Sequence, residues 1–376
     1  MKALIVIFWI CAAVVFYTYI GYGLLVWLIV KIKEAVHPVS KKEVEQWPDA
    51  SLLIAAYNEQ DCVPQKMENC RSLKYKGKLK IVWVTDGSTD GTRDLLAQYP
   101  DATVLHSDAR RGKTNAVNRA MKLIDTPVTI LTDANTFLNA DAVQNLVETL
   151  LQPGVGCVSG EKRVMSTGSG SQAETEGLYW KYESFLKSLD SRLYSTQGTA
   201  GELYAIYTDL WQDMPDDTLL DDFVCSMTIA GKGHRIAYCK EAYAMETASA
   251  SVAEEGKRKK RIAAGGWQSV WRLRYLLNPF RYPVLSFQFA SHRASRWILC
   301  PIMLLLLIPV NIAIVLMGGP LFYAFVLALQ ILFYAAAAAK VKVPYYFTFM
   351  NVNALQAPVY LFKHRGTGVW EKAKRA

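Results

Sequence analysis

Between residues 50 and 150 the chain repeats one hydrophobic pattern, in which a short apolar run leads into polar residues and then into a helical stretch. Four such runs, with their polar ends, occupy residues 51–59, 80–85, 103–105 and 128–135. Short runs rich in β-branched residues are typical of strands that are buried on both faces, as in parallel sheets. Strands that alternate with helices predict parallel βαβ units. We therefore expect an α/β fold with a Rossmann-like, mostly parallel sheet and flanking helices.

Longer apolar stretches lie towards the two ends of the chain. Ala3–Val30 is long enough to span a bilayer with some tilt and has no clear small-residue cleavage site, so we interpret it as a retained signal anchor. Trp297–Met317 and Leu321–Ala339 flank a Gly-Gly-Pro turn and predict a transmembrane hairpin. We expect Pro344–Phe362 to be re-entrant or interfacial, because spanning would leave a basic tail outside.

The positive charges indicate the orientation of these segments. Lys2 precedes the first apolar stretch, whereas Lys31, Lys33, Lys41 and Lys42 follow it. The positive-inside rule then places the N-terminus outside and the next domain in the cytoplasm. We therefore expect a multi-pass protein of the cell (inner) membrane whose central domain is cytoplasmic.

The charge balance and the cysteines narrow the functional classes. The formal net charge is +9, and much of the excess lies beside the apolar stretches and in Lys257–Arg261. Membrane lipids and anionic substrate phosphates explain this excess, and nucleic acid is not expected as a partner. The cysteines are scattered without a Cys-x-x-Cys pair, which argues against a disulfide framework or a zinc site. The oligomeric state stays open.

The run Val128–Asn135 ends on two oxygen-bearing side chains, Asp133 and Asn135. Ligands of open α/β sheets bind just beyond the carboxyl ends of the strands, so we expect both side chains in that crevice. Mg²⁺ is typically held by one or two carboxylates together with substrate phosphates, which makes this pair a candidate site for Mg²⁺ or Mn²⁺. The alternative is that the triplet only caps a helix. Lys113, at a predicted helix start, is a candidate phosphate ligand.

Four motifs occur in order at the predicted strand ends, and the ordered set is more specific than any single motif. They are Tyr57-Asn58-Glu59, Asp86-Gly87-Ser88-Thr89-Asp90-Gly91, Gly112-Lys113-Thr114-Asn115 and Asp133-Ala134-Asn135. The set resembles the family 2 glycosyltransferases, which are inverting enzymes with a GT-A nucleotide-sugar fold. The resemblance extends over residues 50–270. It implies a nucleotide-sugar donor, a glycan acceptor and a divalent metal.

The resemblance also implies roles for individual residues. The implied donor-binding residues are Ala56, Tyr57, Glu59, Asp86, Lys113, Asp133 and Arg261. The implied acceptor-binding residues are Gly201, Glu202, Arg258, Trp267 and Gln268. Asp133 and Asn135 would be the metal ligands, although Asn135 replaces the second Asp of the family's usual Asp-x-Asp pattern. A tryptophan at the membrane interface is the alternative interpretation of Trp267.

Asp221 and Asp222 stand where the family carries the last two residues of a Thr-Glu-Asp motif. Two carboxylates this close raise the pKa of one of them, and a carboxylate can remove the proton of an acceptor hydroxyl. We therefore expect Asp222 to be the catalytic base, with Asp221 beside it.

Three functional hypotheses follow. The first is a metal-dependent inverting glycosyltransferase that uses a nucleotide sugar, expected to be UDP-linked, and a lipid-linked or membrane-associated glycan, in cell-envelope or exopolysaccharide synthesis. The second is a processive polysaccharide synthase, as in cellulose, hyaluronan or chitin synthesis; it is disfavoured because Arg258-x-x-Arg261-Ile262 matches the processive Gln-x-x-Arg-Trp pattern only in part. The third is a transporter or receptor with a nucleotide-binding domain, which the absence of charged residues in the hairpin argues against.

The predicted organisation has six parts. They are an anchor (1–33), a linker (34–49), a cytoplasmic GT-A catalytic domain (50–256), a basic and aromatic interfacial segment (257–296), the transmembrane hairpin (297–340) and a C-terminal re-entrant or membrane segment with a basic tail (341–376). Within the catalytic domain we expect a loop over Gly160–Gly170 and a helix over Ser171–Leu193.

Overall fold

The computed structural model describes residues 1–37, 42–165, 171–247 and 252–363. These residues form an eight-stranded mixed sheet with flanking helices, and long apolar helices lie at both ends of the chain. The predicted α/β class with membrane helices at both ends is confirmed. The basic tail after residue 363 lies outside the described residues.

The sheet has a parallel half and a mixed half. Its strands are β1 (Ala50–Ala56), β2 (Leu79–Thr85), β3 (Ala102–Leu105), β4 (Val128–Asp133), β5 (Thr136–Leu138), β6 (Val155–Met165), β7 (Leu203–Tyr207) and β8 (Arg235–Thr247), in the order β3-β2-β1-β4-β7-β6-β8-β5. The first four strands pair in parallel, and β7 runs antiparallel to both β4 and β6. The parallel half brings the carboxyl ends of β1, β2 and β4 to one edge, where the predicted motifs begin.

The helices cover this sheet and extend from it. They are α1 (Lys2–Phe16), α2 (Tyr22–Val36), α3 (Val63–Arg71), α4 (Thr92–Leu96), α5 (Lys113–Met121), α6 (Ala142–Leu150), α7 (Ser171–Leu193), α8 (Asp221–Gly231), α9 (Val252–Arg272), α10 (Pro283–Gln288), α11 (Cys300–Leu316), α12 (Leu321–Ala338) and α13 (Lys342–Lys363). Two π-helical segments, Tyr17–Gly21 and Phe289–Leu299, join α1 to α2 and α10 to α11. The helix predicted over Ser171–Leu193 is confirmed at both ends.

Burial on both faces explains why the parallel strands are apolar runs. Leu52 and Ile54 of β1 point into a core shared with α3 and α6, whereas Leu53 points into a second core with α5 and α8. Full burial of each such side chain stabilises the fold by about 1.5–3 kcal/mol. The apolar sequence of these strands is therefore a direct consequence of the two covering layers.

The predicted loop over Gly160–Gly170 is wrong for its first part, because β6 continues to Met165. Residues 166–170 lie outside the described part of the chain. The charged residues of β6 suggested a solvated segment. They are accommodated because β6 pairs along its length with β8, and because Lys162 is buried among carboxylates.

Among the described residues, three helical segments are long and apolar enough to cross a membrane: Lys2–Val36, Pro283–Leu316 and Leu321–Ala338. The first two have 35 and 34 residues, so each is about 50 Å long and exceeds the roughly 30 Å hydrocarbon core. They pack antiparallel: Thr18 bonds to Ser295 at one end (2.8 Å), and Phe8 packs with Ile314 at the other. The excess length lies at the end that contacts the sheet domain.

The helix α13 packs along α9 and returns the chain to the sheet domain. The indole N–H of Trp267 on α9 donates to the carbonyl oxygen of Ala354 on α13 (2.9 Å). Asn351 and Asn353 are buried and bond to backbone carbonyls one turn earlier in α13. This helix is not one of the three candidate spans; its re-entrant or interfacial position remains a prediction.

Candidate active site

One buried carboxylate ties the turn after β2 to the loop before α5. Asp86 accepts hydrogen bonds from the backbone N–H groups of Arg111 (2.9 Å) and Gly112 (2.7 Å). Gly87 permits this close approach: its φ is 63°, and a Cβ atom there would lie 2.6 Å from the backbone nitrogen of Arg110. The structure therefore places Asp86 at the predicted crevice and fixes the loop that leads to Lys113.

Tyr57 lies at the carboxyl end of β1, directly after the buried Ala56. The guanidinium carbon of Arg110 is 3.8 Å from the centre of the Tyr57 ring, so the two groups stack. The backbone N–H of Glu59 donates to Oγ1 of Thr92 (2.9 Å) and joins the tip of β1 to the start of α4. The tips of β1 and β2 and the loop before α5 thus form one continuous wall of the crevice.

Lys113 is the first residue of α5 and joins two of the predicted motifs. Its ammonium donates to Oδ1 of Asp133 (2.6 Å) and lies 3.9 Å from Oδ2 of Asp221. Burial alone would lower the pKa of Lys113, but the charges of Asp133 and Asp221 outweigh it and raise the pKa above its ordinary value. The structure therefore brings the phosphate-ligand candidate, the metal-ligand candidate and the first Asp of the Asp221-Asp222 pair into one cluster.

The turn Asp133–Asn135 joins β4 to β5, and α6 begins only at Ala142. The helix-capping interpretation of this triplet is therefore wrong. Lys66 supports this turn from the protein interior, where its ammonium donates to the carbonyl oxygen of Thr136 (2.5 Å). Burial lowers the pKa of Lys66 to about 8. Sequence reasoning missed Lys66, because one lysine on the buried face of α3 has no motif around it.

The oxygen donors at this turn fit a metal that binds together with a diphosphate. Among the described residues, no three His, Cys, Asp or Glu side chains form a metal-binding group. The turn itself carries one carboxylate, Asp133, and one amide, Asn135. Mg²⁺ in proteins usually keeps several waters and is bound by one or two carboxylates plus substrate phosphates. This donor set matches that preference.

Asp222 lies in the first turn of α8 and faces Gly201. A Cβ atom at Gly201 would lie 3.3 Å from Cγ and 3.4 Å from Oδ2 of Asp222, so glycine keeps this face of the carboxylate open. Burial and the neighbouring Asp221 raise the pKa of Asp222 to about 7, against the opposing charge of Lys113. A carboxylate with a pKa near neutrality is suited to take a proton from a hydroxyl group.

Glu202 belongs to a buried ion cluster beside Asp222. It accepts from Nζ of Lys162 (2.5 Å) and from Arg258 (3.1 Å), and Lys162 also pairs with Glu246. Burial opposes ionisation of Glu202, but Lys162 and Arg258 hold its pKa below the ordinary value. Sequence reasoning missed Lys162 and Glu246, because the partners lie on different strands and are far apart in the chain.

The helix α9 carries the other predicted contacts. Burial and the neighbouring Arg258 lower the pKa of Arg261, whose charge interacts with Asp221 and Asp133. Nε of Arg261 is buried and has no hydrogen-bond partner among the described residues. Gln268 accepts a hydrogen bond from the backbone N–H of Leu219 (3.0 Å), and Trp267 donates one to α13. Arg261 thus joins the cluster around Asp133, whereas Trp267 and Gln268 hold neighbouring segments in place.

Comparisons with known proteins show which proteins the chain is similar to. Residues 51–206 match the model of glycosyl transferase family 2. The chain is 23% identical over 312 residues to a poly-β-1,6-N-acetyl-D-glucosamine synthase of Staphylococcus aureus, covering 78% of this chain and 70% of the relative. A synthase of the same name from Staphylococcus epidermidis is 30% identical over 133 residues, covering 34% of this chain and 32% of the relative.

The fold also matches a solved structure. A mannosyltransferase from Pyrobaculum calidifontis, solved with GDP-Man and Mn²⁺, superposes with a TM-score of 0.72 at 23% identity. The match covers 95% of this chain and 99% of that one, so it includes the helices at both ends of the chain. The GT-A fold expected from the strand-end motifs is confirmed.

Proposed function

We propose that this membrane protein transfers a sugar from a UDP-sugar to a hydroxyl group of a lipid-linked or membrane-associated glycan, because residues 51–206 match the model of glycosyl transferase family 2. The observation that carries the proposal is the open carboxylate of Asp222, with a pKa of about 7, beside the pair formed by Lys113 and Asp133. A base and a cation that can hold a diphosphate thus lie in one crevice. The product would enter cell-envelope or exopolysaccharide synthesis.

The proposed reaction is a single displacement with inversion. The acceptor oxygen attacks the anomeric carbon, its proton passes to Asp222, and the bond between that carbon and the diphosphate oxygen breaks. Lys113 and Arg261 offset the negative charge that develops on the departing diphosphate. Tyr57, Glu59 and Asp86 form the wall in which the nucleoside would bind, next to Ala56.

A divalent metal would be held by Asp133 and Asn135 together with the donor diphosphate. Bound Mg²⁺ or Mn²⁺ would add positive charge where the leaving group becomes negative. The structure with GDP-Man and Mn²⁺ supports a metal requirement by analogy of fold. The acceptor would approach from the side of Gly201, where Glu202 and Arg258 are fixed in their ion cluster.

We also propose that the catalytic domain is cytoplasmic. The two long apolar helices run antiparallel, and their polar ends, the sheet domain and α13 all lie at the same end of the helix bundle. Lys31 and Lys33 lie at that end, whereas Lys2 lies at the other. The distribution of positive charge therefore favours a cytoplasmic position.

The direct experiment is a donor screen with the purified protein in detergent. UDP- and GDP-sugars are incubated with Mn²⁺ and a membrane lipid extract, and released nucleotide and labelled lipid product are measured. The proposal expects UDP release that depends on the extract. Release of GDP alone would show that the donor is a GDP-sugar. If no nucleotide sugar supports transfer, the proposed function is refuted.

A processive synthase is the second candidate, favoured by the names of the staphylococcal relatives. Against it, Arg258 occupies the place of the glutamine in the processive pattern, and it is bonded to Glu202. Product length separates the two candidates. A single added sugar supports our proposal, and a ladder of long polymers from one labelled donor would favour the synthase.

A further inference from the structure

The helix α7 presents a stripe of three charged residues, Glu183, Lys187 and Asp190, to the π-helical segment 289–299. All three are buried. Their spacing places them on one face of the helix. A separate stripe on the same helix, which includes Leu186 and Leu189, packs against α2. The charged stripe therefore lies between the membrane-proximal helices and the catalytic domain.

Both carboxylates of this stripe contact basic side chains on the facing segment. Glu183 lies 2.7 Å from Arg293 and 2.8 Å from Arg296. Asp190 bonds to Nδ1 of His292 (2.5 Å). Burial opposes ionisation of Glu183, but these cations keep its pKa well below the ordinary value. Each carboxylate thus has cationic or hydrogen-bonding partners on the facing segment.

Lys187 differs from its two neighbours. It is only 7% exposed. Yet its ammonium makes no hydrogen bond or ion pair with any described residue. This holds even for Glu183, which lies one helical turn away. Burying a charged group without a partner costs several kcal/mol. Together with Arg293 and Arg296, Lys187 gives three cations against the two carboxylates of the stripe. The carboxylates of Glu183, Glu202 and Asp222 act on the charge of Lys187 from a distance, but none of them pairs with it within the described residues.

The segment that faces the stripe is connected to the proposed base, Asp222, on the side where the acceptor would approach. Nε of Arg293 donates to the carbonyl oxygen of Gln197 (2.9 Å), and Oγ1 of Thr199 donates to the carbonyl oxygen of Asp222 (3.0 Å). The short loop at residues 197–199 therefore joins the segment that faces the stripe to the backbone of the base. Burial and Arg293 lower the pKa of Lys187, whose charge also interacts with Asp222. The donor cluster around Lys113 contains no member of this stripe.

The stripe also faces the polar end of a candidate membrane span, where the headgroup of a membrane lipid would lie. The residues that face the stripe, His292 to Arg296, belong to the long helix that continues into the span ending at Leu316. The apolar part of that helix begins after Arg296, so the stripe lies at its polar end. A phosphate attached to a membrane lipid would reach this depth while its lipid stays in the bilayer.

We propose that Lys187 binds the phosphate of a lipid-linked acceptor and holds it on the membrane side of Asp222. The inference rests on the proposed function and specifies its acceptor: a phosphate close to the attacking oxygen, carried by a membrane lipid. Lys187 acts in binding, and Asp222 remains the group that takes the proton.

Binding without turnover tests the proposal. Farnesyl phosphate, farnesol and inorganic phosphate are titrated into the detergent-solubilised protein, and thermal stabilisation is recorded. Farnesyl phosphate should bind the parent, farnesol should not, and Lys187→Met should weaken farnesyl phosphate binding roughly 10- to 100-fold, as expected for the loss of a charged hydrogen bond. Lys187→Arg should retain most of the affinity. Lys181→Met, a change at an exposed position of the same helix, should match the parent.

The other outcomes overturn the proposal. If the parent and a folded Lys187→Met variant bind farnesyl phosphate equally well, Lys187 has only a structural role. The same conclusion follows if Lys187→Met fails to fold and a folded Lys187→Arg variant has lost farnesyl phosphate binding. Binding of inorganic phosphate as tight as that of farnesyl phosphate would show a site for free phosphate. Asp222→Asn separates this proposal from the proposed function: it should abolish transfer and leave farnesyl phosphate binding intact.

Discussion

Asp221→Asn tests the electrostatics of the active site through the pH profile. Asp222 has an ordinary pKa of 3.8, which burial and the charge of Asp221 raise to about 7. The base acts only when deprotonated, so kcat/KM of the parent should rise with pH and level off above about pH 7. Asp221→Asn removes the like charge and should lower the pKa of Asp222 by roughly one unit.

The size of the effect follows from the two pKa values. At pH 6 about one tenth of the parent would carry an ionised Asp222, against about one half of the variant, so relative activity should be about fivefold higher. The assay is log(kcat/KM) against pH, with UDP binding measured at each pH because Asp221 also lies 3.9 Å from Lys113. The prediction fails if kcat/KM of the parent falls only near pH 4, or if the pH profile of Asp221→Asn is not shifted from that of the parent.

Three further predictions concern the residues around the base and the metal turn. Gly201→Ala places a methyl group 3.3 Å from Cγ of Asp222; kcat should fall up to about 100-fold with UDP binding unchanged, and an unchanged kcat would contradict the assigned approach path. Asp133→Ala should nearly eliminate transfer, Asn135→Asp should be tolerated, and Asn135→Ala should raise the Mn²⁺ concentration for half-maximal transfer; if that concentration is the same as in the parent for both Asn135 variants, coordination is confined to Asp133. Lys66→Met removes the support of this turn and should weaken apparent Mn²⁺ affinity roughly tenfold, as read from a Mn²⁺ titration of transfer; a parent-like midpoint would limit Lys66 to a packing role.

The sequence predicted the parallel half of the sheet because its strands are buried on both faces. β1, β2 and β4 are apolar runs that end in polar motifs, and each begins within one residue of its expected start. β8 was missed because it mixes charged and apolar residues, as in Lys240 and Glu241. Its longer pairing in the sheet is with β6, about 80 residues earlier in the chain, and local pattern carries no information on such a pairing.

The residues of the candidate site were likewise predicted only in part. Asp133, Lys113 and Asp222 lie in motifs at element ends, and the structure brings them together. The ion cluster of Glu202, Lys162 and Glu246 could not be predicted, because buried lysines look like solvated ones in a sequence. Their charges are tolerated in the interior only because the fold supplies partners.

We propose above that Asp222 deprotonates an acceptor hydroxyl in a UDP-sugar-dependent transfer. The most direct test compares parent and Asp222→Asn proteins in detergent with Mn²⁺, a labelled UDP-sugar and a membrane lipid extract, measuring transfer and UDP affinity on the same samples. Asp222→Asn should abolish transfer while UDP affinity stays within a few-fold of the parent. Transfer by Asp222→Asn within a few-fold of the parent would contradict it.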